Sequence, residues 1–120
     1  MVTMSQDPLT TYLLTYRKRT GLSQDEIAFL LGISSGTTVS KHETGSRTPQ
    51  LDAALSYAII LGSPTQELFA GRYLELARRI QRRAAKLLPR LEARPAVPAN
   101  THKTNSVRRL LEVQRDAQQS

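Results

Sequence analysis

Residues 22–45 read LSQDEIAFLLGISSGTTVSKHETG, and the reading of this stretch decides the fold. Ser23 is followed three residues later by Glu26, directly before an apolar run, which is the capping-box signature of a helix start. Ile27, Leu30 and Leu31 recur at helical spacing and predict one buried stripe. Gly32 supplies the left-handed residue on which such a helix ends. Ile33 then falls in a short turn, where its expected role is to plug the corner between two helices. Ser34 or Ser35 caps a second short helix, Val39 is its only apolar inward residue, and Gly45 ends it.

Two short helices joined by a tight glycine-containing turn form a helix-turn-helix. Apart from Val39, the second helix is small and polar: Thr37, Thr38, Ser40, Lys41 and His42. A helix of this kind can enter a major groove and offer hydrogen-bonding groups to base edges. His42 is expected to be a partly exposed helix residue.

Outward from this pair, Asp7 and Pro8 read as an N-cap and a pre-set first turn. The helix they start places Leu9, Tyr12, Leu13 and Tyr16 on one face. Arg17-Lys18-Arg19 in its last turn complements the helix dipole, and Gly21 stops it. Beyond the polar loop Ser46-Arg47-Thr48, Thr48-Pro49 starts a fourth helix with Leu51, Leu55, Ala58 and Ile59 inward, closed by Gly62. Ser63 and Gln66 stand in capping-box spacing at the start of a fifth. Helical propensity then continues from Pro64 to Leu88, with Gly71 the one weak point, until Pro89 ends or kinks the helix. Residues 93–104 contain two prolines and read as a linker, and Val107 to Ala117 as a short amphipathic helix.

Residues 12–69 resemble the Cro/C1-type (XRE family) helix-turn-helix domain of phage repressors and many bacterial regulators. The matching residues are Arg17 four before Gly21, Gly21-Leu22-Ser23-Gln24, Ile27-Ala28, Leu31-Gly32-Ile33-Ser34, Val39-Ser40, Glu43, Gly45, Arg47, Pro49, Leu55 and Leu68-Phe69. The family usually has three residues between the turn serine and the apolar anchor of the second helix. This chain has four, Ser35 to Thr38, so the register of base contacts is open by one residue around Gly36. The expected fold is all-α: a five-helix lambda-repressor-like DNA-binding domain over 7–71, an extended basic amphipathic helix over 72–92, and a flexible, mostly disordered linker and tail over 93–120.

The resemblance implies roles for particular residues. Gln24, in the first turn of its helix, contacts the DNA backbone. Thr37, Thr38 and Lys41 are candidate base readers, and Lys41 suits a phosphate equally well. Ser35, Ser40, Ser46, Arg47 and Thr48 are candidate backbone contacts, with Arg47 favoured among the loop residues. Arg17 and Glu43 are implied to pair and fix the recognition helix to the body.

Composition narrows the rest. Net charge is +7, yet residues 1–62 carry five basic and five acidic side chains, so the whole excess lies in residues 63–120. There is no cysteine, and only His42 and His102 offer imidazole, so neither a metal site nor a cofactor is expected. No cysteine nucleophile, phosphate-cradling glycine loop or His/Asp/Glu cluster points to an enzyme. MVTMSQDP lacks the basic start and apolar core of a signal peptide, and no apolar run approaches membrane-spanning length. A cytoplasmic, nucleoid-associated protein is expected.

Phe69, Tyr73, Leu76, Ile80, Ala84 and Leu87 form one apolar stripe beside a basic one. Beyond Tyr73 a small domain cannot cover it. Tyr73, Leu76, Ile80 and Leu87 are therefore candidates for homodimerisation, with a partner protein on the C-terminal helix as the alternative occupant. The functional expectation is sequence-specific binding of double-stranded DNA by a homodimeric transcriptional regulator, as a repressor. The rivals are a DNA-binding antitoxin that also masks a partner, and a protein-interaction module on a helix-turn-helix scaffold.

Overall fold

The computed structural model describes residues 11–119, and their side chains as far as Glu112. Seven helices are assigned there, α1 Leu13–Thr20, α2 Gln24–Leu31, α3 Gly36–Thr44, α4 Leu51–Leu61, α5 Thr65–Leu68, α6 Ala70–Glu92 and α7 Pro98–Gln119, and no strand. The all-α class is as the sequence predicts. The chain forms two compact units, one ending at Leu74 and the other beginning at Glu75, with α6 running through the boundary.

In the first unit the core is Leu13, Ile27, Ala28, Val39, Tyr57 and Leu68, one or two residues from each of α1 to α5. Ile33 packs against it from the turn between α2 and α3. That turn is shaped by Gly32, whose φ of 79° is left-handed, and by the Ile33 N–H, which donates to the Ala28 carbonyl at 3.0 Å. The capping box is formed: the Ser23 hydroxyl accepts from Glu26 N–H at 3.0 Å, and the Glu26 carboxylate accepts from Ser23 N–H at 2.8 Å. The unit is closed by Tyr12 N–H donating to the Leu68 carbonyl at 2.9 Å, which joins the entry to α1 with α5.

Several expectations are corrected. The Asp7-Pro8 helix start lies outside the described residues, and α1 begins only at Leu13. α4 begins at Leu51 with Gln50 as its cap, two residues after the expected Pro49. Its inward residues are not Leu51, Leu55 and Ile59, of which Leu51 is 71% and Ile59 82% exposed; Tyr57 is buried instead, with Ala58, Ile60 and Leu61 packed on the core. LDAALSYAIIL has only Asp52 and Ser56 as polar residues, so its periodicity marks a face weakly. The face is chosen by the Tyr57 ring, which meets His42 and Phe69 edge-on at 5.6 and 6.2 Å. Leu30 is likewise exposed, and Ala28 takes its place in the buried stripe of α2.

The expected single helix from Pro64 is broken at Phe69, whose φ/ψ of −116°/43° leaves the helical region and turns its ring to Tyr57. Ser63 and Gln66 form no capping box. The Ser63 hydroxyl instead donates to the Glu67 carboxylate at 2.6 Å, and the Tyr16 hydroxyl donates to the same oxygen at 2.6 Å. Pro89 does not end α6, which runs to Glu92. The carbonyl this proline leaves without a partner belongs to Ala85, which is exposed, so water can serve it.

Where the sequence predicts a linker and tail over 93–120, the chain turns within five residues and forms α7 from Pro98 to Gln119. Proline at the first helical position loses no bond. Asn100 Nδ2 donates back to the Pro95 carbonyl at 2.8 Å and fixes the turn. In this second unit Ala84 and Leu91 of α6 are buried with Val107 of α7, bordered by Leu88, Leu110 and Leu111. Arg108 donates to Glu92 at 2.8 Å across the pair. No described helix is long and apolar enough to cross a membrane.

His42, expected to be partly exposed, is 4% exposed, with Nδ1 2.8 Å from the Tyr57 hydroxyl. Burial, and secondarily the Arg47 charge, holds its pKa below the ordinary value. Protonation is then easier in the unfolded chain, so the stability from a neutral His42 is complete above about pH 6.5 and is lost as pH falls through the folded value. The Glu26 and Glu67 carboxyls are also lowered, by their hydrogen bonds to Ser23 and to Ser63 and Tyr16, and they act only below about pH 4.3. The urea midpoint should therefore be lower at pH 5.5 than at pH 7.5, and His42→Gln should flatten that difference. An equal pH dependence in the variant would assign it to other groups.

Candidate nucleic-acid interface

The N-terminus of α3 is set against α2 by two contacts. The Ser35 hydroxyl accepts from Thr37 N–H at 3.3 Å, and the Asp25 carboxylate accepts from Gly36 N–H at 3.0 Å. Gly36 is buried here. A Cβ on it would lie 2.5 Å from Asp25 Oδ1 and 3.0 Å from backbone atoms of Gln24 and Asp25. Glycine is thus required by close approach of the two helices. Ser35 is the cap of α3, and three residues separate it from Val39.

Val39, His42, Glu43 and Gly36 face the body. The opposite side exposes Thr37, Lys41 and Thr44, one helical row, with Thr38 and Ser40 half-buried beside it. Of the sequence candidates, Thr37 and Lys41 thus share the outward row. Thr44 completes it and escaped sequence reasoning, although its seven-residue spacing from Thr37 was a sufficient signal.

The loop after α3 folds back on the helix end. The Lys41 carbonyl accepts from Arg47 N–H at 3.2 Å, and the Thr44 and Ser46 hydroxyls approach the same oxygen at 3.2 and 3.3 Å. Ser35, Ser46, Arg47 and Thr48 are all exposed. Thr48 Oγ1 accepts from the Arg72 guanidinium at 2.9 Å, tying the loop to the start of α6.

α3 is held from behind by one carboxylate. Glu43 Oε2 lies 2.5 Å from Arg17 Nε, and Oε1 accepts from Arg17 Nη2 at 3.3 Å and from Gln24 Nε2 at 2.9 Å. Arg17 Nη1 also donates to the Leu22 carbonyl at 3.0 Å. The Arg17 and Glu43 side chains are only 15% and 5% exposed. The backbone of Glu43 takes part as well, its carbonyl accepting from Thr11 Oγ1 at 3.1 Å. Gln24, assigned a DNA contact from sequence, therefore spends one amide proton on this cluster and keeps the second. Among the described residues no group of three His, Asp or Glu side chains could hold a metal ion.

Two substitutions test this scaffold. Glu43→Ala leaves a largely buried guanidinium unpaired and should cost about 3 kcal/mol in urea unfolding. A loss under about 1 kcal/mol would make the pair a surface ornament. Gly36→Ala should destabilise by about 1–3 kcal/mol through the clash with α2, although alanine is the better helix former. A stabilised variant would refute the close approach.

No curated protein and no solved structure matches the chain. Residues 8–70, just over half of its length, match the family model described as a helix-turn-helix domain. With two short helices docked across a glycine turn and the second presenting a polar row outward, the chain belongs to this helix-turn-helix domain family.

Proposed function

We propose that the chain is a sequence-specific double-stranded DNA-binding protein of the Cro/C1 type and a transcriptional repressor acting as a homodimer. The observation that carries the reading is the row Thr37, Lys41, Thr44, exposed on a helix whose other side is anchored through Val39 and Glu43. A rigidly mounted polar row is what a major groove can accept. Thr37 and Lys41 read base edges, with Thr38 at the margin: the ammonium suits guanine O6 and N7, and a threonine methyl suits thymine. Ser35, Ser40, Ser46 and Arg47 contact phosphates, joined by the second amide proton of Gln24 at the start of α2. The dimer forms through Tyr73, Leu76, Ile80 and Leu87, each 41–49% exposed along α6.

A second reading, the antitoxin that also masks a partner protein, is favoured by the separate helical pair of α6 and α7, which has a core of its own. It would reveal itself by a partner that co-purifies at fixed stoichiometry.

Selection of bound fragments from random duplexes near physiological salt is the direct test. The expected result is an enriched inverted repeat with half-sites about 10 base pairs apart. Lys41→Ala should change the preferred sequence, whereas Arg47→Ala should weaken all sequences alike and shallow the salt dependence by about one. A single asymmetric site would remove the dimer, and equal losses on every sequence for both variants would remove Lys41 as a base reader.

A further inference from the structure

The chain's net charge of +7 falls entirely in the unit beginning at Glu75, which carries eleven lysines and arginines against four acidic residues. The helix-turn-helix unit is neutral. The cations of the second unit are not scattered. Arg79, Arg82, Arg83 and Lys86 stand at i, i+3, i+4 and i+7 of α6, on one helix face, and all four are exposed. Arg79 is ion-paired with Glu75 one turn earlier. Arg82, Arg83 and Lys86 make no ion pair among the described residues. These four side chains alone line a shallow depression of about 320 Å³.

We propose that this face of α6 is a second nucleic-acid contact, a sequence-independent seat for the phosphodiester backbone of duplex DNA outside the helix-turn-helix. The identity of the polymer rests on the DNA-binding reading above; the anionic class of the ligand does not. Like charges three and four residues apart repel, and an anion bridging them removes that cost. The three guanidinium groups offer planar forks that match phosphate oxygens in pairs. From Arg79 to Lys86 the helix rises about 10 Å, which along the duplex axis corresponds to about three phosphate steps of one strand.

The lining of the depression separates this ligand from an anionic membrane. A membrane-bound helix buries its apolar row together with its basic flank. No apolar side chain lines the four-cation depression, and the neighbouring apolar groove of Ile80, Ala84, Leu87, Val107 and Leu110 shares only Arg83 with it. The cationic face can therefore be occupied by a polyanion while the apolar one is left to a protein surface.

The test is the salt dependence of binding by the full chain to a random-sequence duplex and to a selected duplex. The variant R79Q/R82Q/R83Q/K86Q keeps good helix formers throughout, and its helix content by circular dichroism should match the parent. It should shallow the slope of log K against log salt by about three on both duplexes, at about 0.9 per phosphate, with Arg79 discounted for its pairing. It should not change the preferred sequence. R79K/R82K/R83K, which keeps the charge, should restore the slope. An unchanged slope in the glutamine variant, with sequence preference still lost in K41A, would overturn the second contact and leave the helix-turn-helix reading intact. A parent with no sequence preference whose residual binding the glutamine variant abolishes would do the reverse. Unchanged DNA binding with lost binding to phosphatidylserine vesicles would overturn the proposal in favour of a membrane surface.

Discussion

The carboxylate of Glu43 is the contact on which the first unit depends. It sits on the last turn of α3 and is held by Arg17 from α1 and Gln24 from α2, while its own carbonyl accepts from Thr11. Three helices thus converge on one side chain that is nearly sealed from water. A sealed pair gains little over an apolar contact of similar shape, but its geometry is directional, and losing one partner is costly. That direction matters because α3 has a single fully buried apolar side chain, Val39. One anchor would allow the helix to roll about its axis. The Glu43 cluster at one end and the Asp25 contact with Gly36 at the other remove that freedom.

The same constraint orders the polar core. With α3 fixed, His42 points inward beside Glu43 and must find a partner, and Tyr57 supplies it. Burial raises the Tyr57 hydroxyl pKa and lowers that of His42, so both remain neutral across the physiological range. The Tyr57 ring in turn selects the face of α4 and receives Phe69, which breaks the chain between α5 and α6. Rotation of α4 to bury Tyr57 leaves Leu51 and Ile59 in solvent.

The two units divide the physical work. The neutral first unit carries the helix-turn-helix, and the second carries the charge. Phosphate contacts supply affinity and base contacts supply choice. The net charge around α3 is small, and the excess of cations lies in the other unit.

The capping box at Ser23, the left-handed glycines that stop the helices, the corner residue Ile33 and the anchor Val39 were all legible in the sequence, because each is a local effect acting within about five residues. Of the outward row of α3, Thr37 and Lys41 were legible once Val39 is turned inward, whereas Thr44 was not read from the sequence. The pairing of Arg17 with Glu43 was legible only through resemblance, as nothing within either helix specifies a partner 26 residues away. Tertiary structure decided the rest: which side of a largely apolar α4 is buried, that His42 is sealed against Tyr57, and that Gly36 is dictated by the backbone of α2. It also decided that residues 98–119 are helical, because a marginal amphipathic segment gains from packing Val107 on Ala84 and Leu91 what it lacks in isolation. Propensity and spacing act along the chain, whereas burial is settled only when distant segments meet.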